Sequence, residues 1–240
     1  MNTTEKKVEN ERLERMFAVG AHYGYSKSRR HPTVRPYVFG TKDRIEILDL
    51  EKTADLLDEA KAYMERLGAT GKKILFVGGK NESQKIVRSV ADNIDMPYVS
   101  GRWIGGTLTN FAEIKKRIDR LETLRSQREK GELSRYTKRE RLMIDREIDK
   151  LEEKFGGLVS MTELPAALCV VDSKREHIAI EEARSLGLKI VALTNSDCNL
   201  SVIDHPVVAN DAARASIEYF ITELGSAYAA GTKTKKKENE

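Results

Sequence analysis

Basic side chains are concentrated in one short part of the 240-residue sequence, residues 27–44, where six of them stand against the single acid Asp43. Lysine and arginine neutralise phosphates, and arginine can do so through two parallel hydrogen bonds. The tyrosines Tyr23, Tyr25 and Tyr37 lie in or beside this segment, and their rings can stack on exposed bases. Phosphate neutralisation would supply most of the affinity and would make it sensitive to salt. The segment therefore predicts an RNA-binding surface.

The sequence suggests six RNA-binding residues in two places. Four lie in the basic segment, and the other two are an adjacent arginine and tryptophan in a loop framed by glycines. A tryptophan in such a loop can stack on a base or anchor the hydrophobic core, and the sequence favours neither. The predicted RNA-binding residues are Lys27, Arg29, Arg30, Arg35, Arg102 and Trp103.

Glycine-rich turns that could hold a nucleotide occur at two positions. Residues 77–83 read VGGKNES, and residues 101–107 read GRWIGGT. Neither has the spacing of a P-loop or of a dinucleotide-binding fingerprint. A tight turn between a strand and a helix explains the first, and a helix start near Thr107 or Thr109 explains the second. A nucleotide-binding enzyme or regulator that uses the crevice of an α/β sheet is therefore the alternative hypothesis.

Side chains suited to metal binding or covalent catalysis lack the required spacing. No histidine has a partner at the spacing of a metal site, CxxC and HExxH are absent, and no nucleophile elbow frames a serine. Oxygen ligands at predicted strand ends could hold Mg²⁺, although turns and helix caps explain them more simply; they are Asp172, Asn195, Asp197, Asp204 and Asp211. We therefore predict no catalytic residue, no metal, no cofactor and no small-molecule substrate, so the chain is not expected to be an enzyme.

The composition restricts the classes of protein that fit. Charged residues make up 33% of the chain, and its formal net charge is a mild +4. Apolar runs such as residues 74–77 and 166–171 are far shorter than the roughly 20 residues that span a bilayer. The first 14 residues are polar and lack the apolar run of a secretory signal. We expect a cytoplasmic protein without a membrane partner, in which Cys169 and Cys198 are reduced.

The elements that must position these side chains alternate between short strands and helices. The strands are apolar at both odd and even positions, as expected of a sheet that helices cover on both faces. Repeated βα units with short connections favour right-handed crossovers and a parallel sheet. We predict an α/β, flavodoxin-like, doubly wound parallel sheet of about five strands. The alternation consists of strands at 45–50, 73–77, 98–100, 167–171, 189–193 and 207–209, with helices at 51–67, 83–94, 176–186 and 212–224.

A different pattern interrupts the alternation between the glycine pairs at 105–106 and 156–157. Apolar residues recur every three or four positions over 108–124 and 144–155, and almost all other residues there are charged. Two narrow apolar seams predict an inserted antiparallel coiled-coil helical hairpin with its turn near 130–134. The alternative is that both helices simply pack on the sheet.

The chain is expected to divide into four segments. Residues 1–44 combine an amphipathic helix at 8–19, with Leu13, Met16 and Phe17 at helical spacing, and the basic extended segment. Residues 45–106 plus 157–228 form the α/β domain, and residues 107–156 form the hairpin. Residues 229–240 are predicted to be a disordered tail, because the sequence from Gly231 onward is rich in lysine and glutamate and has no apolar residue.

Several motifs together resemble one protein family. In order, they are GAHYG at 20–24, RHP at 30–32, PYVFG at 36–40, IEILDLEK at 45–52, ILFVG at 74–78, RWIGGTLTNF at 102–111, residues 164–172, and HIA at 177–179. This series resembles the bacterial small-subunit ribosomal protein two family from about residue 13 to residue 220. Three places depart from the family pattern. Tyr25 stands where a second histidine is usual, and the segment 197–206 differs, with DCN instead of DPD at 197–199. The lysine-rich tail has no counterpart in the family.

The resemblance implies a structural constituent of the small ribosomal subunit, located on the cytoplasmic ribosome. Members of the family have an α/β body with a protruding coiled-coil hairpin. They bind small-subunit ribosomal RNA and neighbouring ribosomal proteins in translation and subunit assembly. They also help to attach the largest small-subunit protein, which recruits messenger RNA.

Overall fold

The computed structural model describes residues 3–238, with side-chain surroundings for residues 10–234. Its helices are α1 Thr3–Ala18, α2 Leu50–Thr70, α3 Asn81–Asn93, α4 Phe111–Glu129, α5 Lys138–Phe155, α6 His177–Ser185 and α7 Arg214–Glu238. Its strands are β1 Tyr23–Ser26, β2 Val38–Lys42, β3 Ile45–Leu48, β4 Ile74–Val77, β5 Tyr98–Val99, β6 Ala167–Val171, β7 Lys189–Thr194 and β8 His205–Val208. Within these described residues, no helix has the length and apolar character needed to cross a membrane.

Five strands form a parallel sheet in the order β5-β4-β6-β7-β8. Counted along the chain, this is the order 2-1-3-4-5 of flavodoxin-like folds. Alternate residues of β4 enter different cores, since Ile74 and Phe76 pack with α2, α3 and α7, while Leu75 and Val77 pack with α6 on the other face. Helices therefore cover both faces, and the prediction of a flavodoxin-like, doubly wound α/β fold is confirmed.

A second, antiparallel sheet has the order β1-β3-β2. Asp43 and Arg44 join β2 to β3 with φ angles of 50° and 67°, the backbone of a tight hairpin turn. Lys42 therefore pairs with Ile45, and residues 45–48 are in this small sheet instead of opening the parallel one. The prediction placed residues 45–48 in the alternating series and described the basic segment before them only as extended, because the hairpin turn contains no glycine or asparagine to signal it.

Helices α4 and α5 contact each other through a small apolar cluster of Leu121, Leu124 and Ile148. Ion pairs flank it, with Arg120 Nε lying 3.1 Å from Glu147 and Arg125 pairing with Glu152. A capping box of Thr137 and Glu140 begins α5 and satisfies backbone groups that the first turn leaves free. The projecting coiled-coil hairpin and the four-segment division of the chain stay predictions.

Helix α7 packs closely along α2 and continues to Glu238, into the segment for which we predicted disorder. The approach depends on glycines, since a Cβ on Gly68 would overlap the carbonyl oxygen of Tyr228, and one on Gly231 would overlap that of Glu65. The close contact with α2 extends to Gly231 and Thr232, which follow the last apolar residue of the sequence. Residues 239 and 240 lie outside the described residues.

Candidate nucleic-acid interface

The basic segment is an ordered surface made of the small sheet and two short 3₁₀ turns, Lys27–Arg29 and Pro32–Tyr37. Backbone and hydroxyl groups fasten it to the loop after β7. The N–H of His31 donates to the carbonyl oxygen of Ser196 at 2.9 Å, and the N–H of Leu200 donates to Thr33 Oγ1 at 3.0 Å. The basic side chains are therefore presented from a fixed backbone, which lowers the entropic cost of binding.

Three of the predicted RNA-binding residues point to solvent. Lys27, Arg29 and Arg35 are exposed, and none of them forms an ion pair with the described residues. The Arg29 guanidinium lies 5.9 Å from the centre of the Tyr25 ring, at the outer limit of a cation–π contact. These three cations are free to meet phosphates.

Arg30 has a different environment from its neighbours. It is partly buried, and its Nη1 donates to Oε1 of Glu46 at 3.0 Å. The Glu46 side chain is fully buried, and its second oxygen has no hydrogen-bond partner in the structure. Removal of one member of such a pair leaves an uncompensated buried charge. Arg30 therefore stabilises the small sheet, whatever else it contacts.

The adjacent residues Arg102 and Trp103 have opposite exposures. Arg102 is exposed, whereas Trp103 is 6% exposed and donates from Nε1 to Oε1 of Glu182 at 3.0 Å. The ring packs with Leu108 and Val99 in the core on the α6 face of the sheet. This position supports the interpretation of Trp103 as a core anchor over that of a base-stacking residue.

Glu182 organises the loop that carries these residues. Its Oε1 accepts from Trp103 Nε1 and from the N–H of Gly106 at 2.8 Å, and its Oε2 accepts from the N–H of Leu108 and from both the N–H and the hydroxyl of Thr109 at 3.0–3.1 Å. Burial alone would raise the pKa of Glu182, but the hydrogen bonds from Trp103 and the loop backbone outweigh it and lower the pKa. One carboxylate thus fixes the loop from residue 103 to residue 109.

Sequence reasoning missed Glu182, although a signal for it exists. Ala179, Ile180 and Ala183 form the buried face of α6, and Glu182 lies on that face by helical spacing. A carboxylate among apolar positions of a helix must be paired or hydrogen-bonded. The position therefore indicates a buried acceptor for a neighbouring loop.

A buried ionic cluster lies at the edge of the parallel sheet, just beyond the ends of β4 and β6. Lys80 Nζ lies 2.6 Å from Asp172 Oδ2 and 3.1 Å from Asp211 Oδ2, and Asn195 Nδ2 donates to Asp211 Oδ1 at 3.2 Å. Burial alone would lower the pKa of Lys80, but the charges and hydrogen bonds of Asp211 and Asp172 raise it. Burial raises the pKa of Asp211 to about 6, against the opposing effects of Lys80 and Asn195. The ammonium is thus an internal cation of the fold.

The oxygen ligands that we weighed for Mg²⁺ are only partly brought together. Asp172 and Asp211, with Cys198, have donor atoms within 4.8 Å of one another, a set that could hold a metal ion. The Lys80 ammonium already bonds both carboxylates there. Asp197 instead bonds Lys174 at 2.9 Å. Asp204 pairs with Lys189 and accepts from the N–H of Ile190, at the start of β7.

An apolar groove of about 550 Å³ lies beside the basic segment, between α1 and the small sheet. Phe17 is 63% exposed and Phe39 is 81% exposed; the groove is also lined by Leu13, Ile47 and Leu50. Exposed apolar surface of this kind usually marks a contact with another protein. An exposed apolar groove therefore lies next to the exposed basic side chains.

Comparisons with known proteins agree on one family. The family model described as Ribosomal protein S2 matches residues 16–231. Relatives named "Small ribosomal subunit protein uS2" include that of Chlorobium phaeobacteroides, 43% identical over 209 residues, which cover 87% of this chain and 83% of the relative. That of Chloroherpeton thalassium is 41% identical over 229 residues, 95% of this chain and 92% of the relative. The Salinibacter ruber protein is 40% identical over 228 residues, 95% of this chain and 71% of the relative.

Proposed function

The chain belongs to the Ribosomal protein S2 family, and from this premise we propose which of its surfaces hold the RNA and protein partners of a small ribosomal subunit. As a member of this family, the protein is a structural constituent of the small ribosomal subunit and not an enzyme. Its partners are ribosomal RNA and ribosomal proteins, and its place is the ribosome.

The proposed RNA-binding surface consists of Lys27, Arg29 and Arg35, with Arg102 as a more distant contact. The observation that carries the proposal is that the first three are exposed on a backbone fastened to the α/β body and form no ion pair with the residues that the structure describes. Since binding does not require an internal ion pair to be broken, the full charge of each residue is available to phosphates. Arg30 contributes to this surface indirectly, by neutralising the buried Glu46.

The internal position of Lys80 weakens the alternative of a nucleotide-dependent enzyme. In P-loop proteins, the lysine of the glycine-rich turn must reach the phosphates. In this chain Lys80 follows Gly78 and Gly79, but its ammonium contacts Asp172 and Asp211 instead. A Cβ on Gly78 would overlap side chains of α3, so the turn serves the packing of that helix on the sheet.

The proposed protein-binding surface is the apolar groove between α1 and the small sheet. As the partner we propose the largest small-subunit ribosomal protein, which the family resemblance implies. The exposed rings of Phe17 and Phe39 provide the apolar contact area that protein interfaces bury at their centre. His22 stacks on Phe17 with 4.4 Å between ring centres, which holds that ring in place.

The RNA-binding proposal is tested by measuring how affinity for small-subunit ribosomal RNA depends on salt. The triple variant Lys27→Ala, Arg29→Ala, Arg35→Ala should bind more weakly, and its log–log salt slope should be smaller by about 2 to 3, because three fewer counterions are released. A matched control removes three exposed charges elsewhere, at Lys72, Lys85 and Arg184. Equal slopes for the two triple variants would show that the basic segment is the wrong surface.

The protein-binding proposal is tested by capture of the purified largest small-subunit protein. Phe17→Ala with Phe39→Ala should reduce capture at least tenfold. The control variant Leu142→Ala with Met143→Ala removes two other exposed apolar side chains, which are 51% and 62% exposed, and should leave capture unchanged. Equal capture by both double variants would exclude the groove as the docking surface.

A further inference from the structure

A second pocket lies where β4, β5 and β6 end, and it is separate from the basic segment. This crevice has a volume of about 380 Å³ and is lined by residues that follow those three strands: Gly79, Asn81, Gln84, Gly101, Arg102, Trp103, Arg175, Glu176 and Ile178. β4 and β6 are the strands between which the order of the sheet reverses. Open α/β sheets bind ligands at this position.

Two glycines keep the floor of the crevice open. A Cβ on Gly79 would lie 2.7 Å from both the Gly101 carbonyl oxygen and Glu176 Oε1, whereas a Cβ on Gly101 would meet nothing within 4 Å. The turn at Gly79 is therefore tightly packed, and the backbone at Gly101 faces open space. A flat ligand can approach the backbone there without meeting a side chain.

The charged groups of the crevice are arranged for a ligand that carries both an anion and N–H donors. Arg102 and Arg175 are exposed, and neither forms an ion pair with the described residues. Glu176 is 5% exposed, and its Oε1 accepts a hydrogen bond from the N–H of Gly79 at 3.1 Å. Among the described residues, none donates a hydrogen bond to its second carboxylate oxygen. Ile178, 44% exposed, adds an apolar wall.

We propose that this crevice binds one unpaired guanine nucleotide of ribosomal RNA. Arg102 and Arg175 contact the phosphate, and the Glu176 carboxylate accepts hydrogen bonds from the base. Guanine is the nucleobase that fits, because its Watson–Crick edge carries two adjacent N–H donors and a carboxylate offers two acceptor oxygens. Recognition of splayed-out bases by such edge contacts is the usual way proteins read RNA sequence.

The inference rests on the proposed function, because it takes the nucleotide from ribosomal RNA. A free guanine nucleotide has the same chemistry and is the competing source. RNA is favoured because the protein is a constituent of the small ribosomal subunit, and the crevice opens beside Arg102, which is already a candidate RNA contact.

The test is fluorescence anisotropy of the full-length protein with three labelled five-nucleotide RNAs, UUGUU, UUIUU and UUUUU, where I is inosine. Inosine lacks the 2-amino group of guanine, so UUGUU should bind about tenfold more tightly than UUIUU, through one hydrogen bond to a charged acceptor. This comparison uses the unmodified chain and is independent of the folding of any variant. Equal affinities for UUGUU and UUIUU would overturn the proposal.

Variants of the crevice residues test whether the affinity difference between UUGUU and UUIUU arises there. Glu176→Gln should abolish the difference between UUGUU and UUIUU, whereas Arg102→Gln with Arg175→Gln should weaken all three RNAs about tenfold. The control Lys85→Gln with Arg184→Gln removes the same charge elsewhere and should change affinity less than twofold. Guanine discrimination that persists in Glu176→Gln would place the recognition elsewhere and refute the assignment.

Two further measurements distinguish failure of the crevice proposal from failure of the proposed RNA-binding function. Because 5′-GMP carries the same base edge and a phosphate, it should bind the crevice no more tightly than UUGUU does. Binding of 5′-GMP at least tenfold more tightly than UUGUU would identify a free nucleotide as the ligand and overturn the assignment to RNA. The triple variant at Lys27, Arg29 and Arg35 should keep guanine discrimination in short RNAs while losing affinity for long ribosomal RNA. Loss of long-RNA binding in that variant without any guanine discrimination in the parent chain would leave the proposed function standing and refute only the crevice.

Discussion

Replacement of Glu182 by glutamine isolates the contribution of one buried carboxylate to the loop from Trp103 to Thr109. Glutamine keeps one acceptor oxygen and places an N–H₂ group where the second oxygen accepted bonds. If the retained oxygen serves Trp103 and Gly106, the two N–H groups of Leu108 and Thr109 and the Thr109 hydroxyl lose their acceptor. A hydrogen bond to a charged group contributes about 1.5–3 kcal/mol. Because the exposed Thr109 groups can turn to water, we expect a loss of about 3 kcal/mol in the free energy of unfolding.

The measurement is urea unfolding followed by the fluorescence of Trp103, the one tryptophan of the sequence. The matched control is Glu181→Gln, on the adjacent exposed residue, which should change the free energy of unfolding by less than about 0.5 kcal/mol. Because folding lowers the pKa of Glu182, its contribution is present above the unfolded pKa and is lost as pH falls. The difference between the parent chain and Glu182→Gln should therefore be largest near neutral pH and shrink below pH 4.5. Equal effects of the two glutamine variants would refute the role given to this carboxylate.

Three further predictions concern stability. Arg30→Ala should lower the free energy of unfolding by about 3 kcal/mol, because it leaves a buried carboxylate unpaired, whereas Arg35→Ala should have almost no effect in the same urea titration. Burial raises the pKa of Asp211 to about 6, against an unfolded value near 3.8. Protonation of Asp211 therefore stabilises the folded state fully below pH 3.8, and this stabilisation is lost as pH rises through 6. Asp211→Asn should remove this pH dependence of the free energy of unfolding, measured between pH 4 and pH 7. Gly231→Ala should lower the melting temperature through overlap with α2, at a cost of about 1–3 kcal/mol, whereas Gly40→Ala, where a Cβ would meet no atom within 4 Å, should not.

The parallel sheet was predictable because its central strands are apolar at almost every position. β4, β6 and β7 are buried on both faces, a pattern that only a covered sheet produces. The small antiparallel sheet left no comparable signal. Its hairpin turn uses Asp43 and Arg44 at positive φ, and neither residue is the glycine or asparagine that usually marks such a turn. The sequence pattern therefore predicted the parallel sheet, whose strands are buried, and missed the small antiparallel sheet, which depends on the backbone conformation of one turn.

The candidate interface was predictable only as a charge distribution. The sequence pattern grouped Arg30 with Arg29 as RNA-binding residues. In the structure, Arg29 ends a short 3₁₀ turn and is exposed, whereas the next residue, Arg30, points towards a buried carboxylate. Which basic residues are free depends on acids far along the chain or on another strand. The same reason explains Lys80, whose partners Asp172 and Asp211 follow it by about a hundred residues or more. Composition gives the number of charges, and only the fold decides which of them are already neutralised.

The hydrogen bonds that fasten the basic segment to the α/β body have a consequence for the order of events during synthesis. The N–H of His31 donates to the carbonyl oxygen of Ser196 at 2.9 Å, and the N–H of Leu200 donates to Thr33 Oγ1 at 3.0 Å. These contacts join residues separated by most of the chain, and such contacts form late because a long loop must close first. The segment that leaves the peptide exit tunnel among the first therefore reaches its final position among the last. A nascent chain that ends before β7 lacks these partners, so we expect the basic segment to take its native position only after most of the chain has been made.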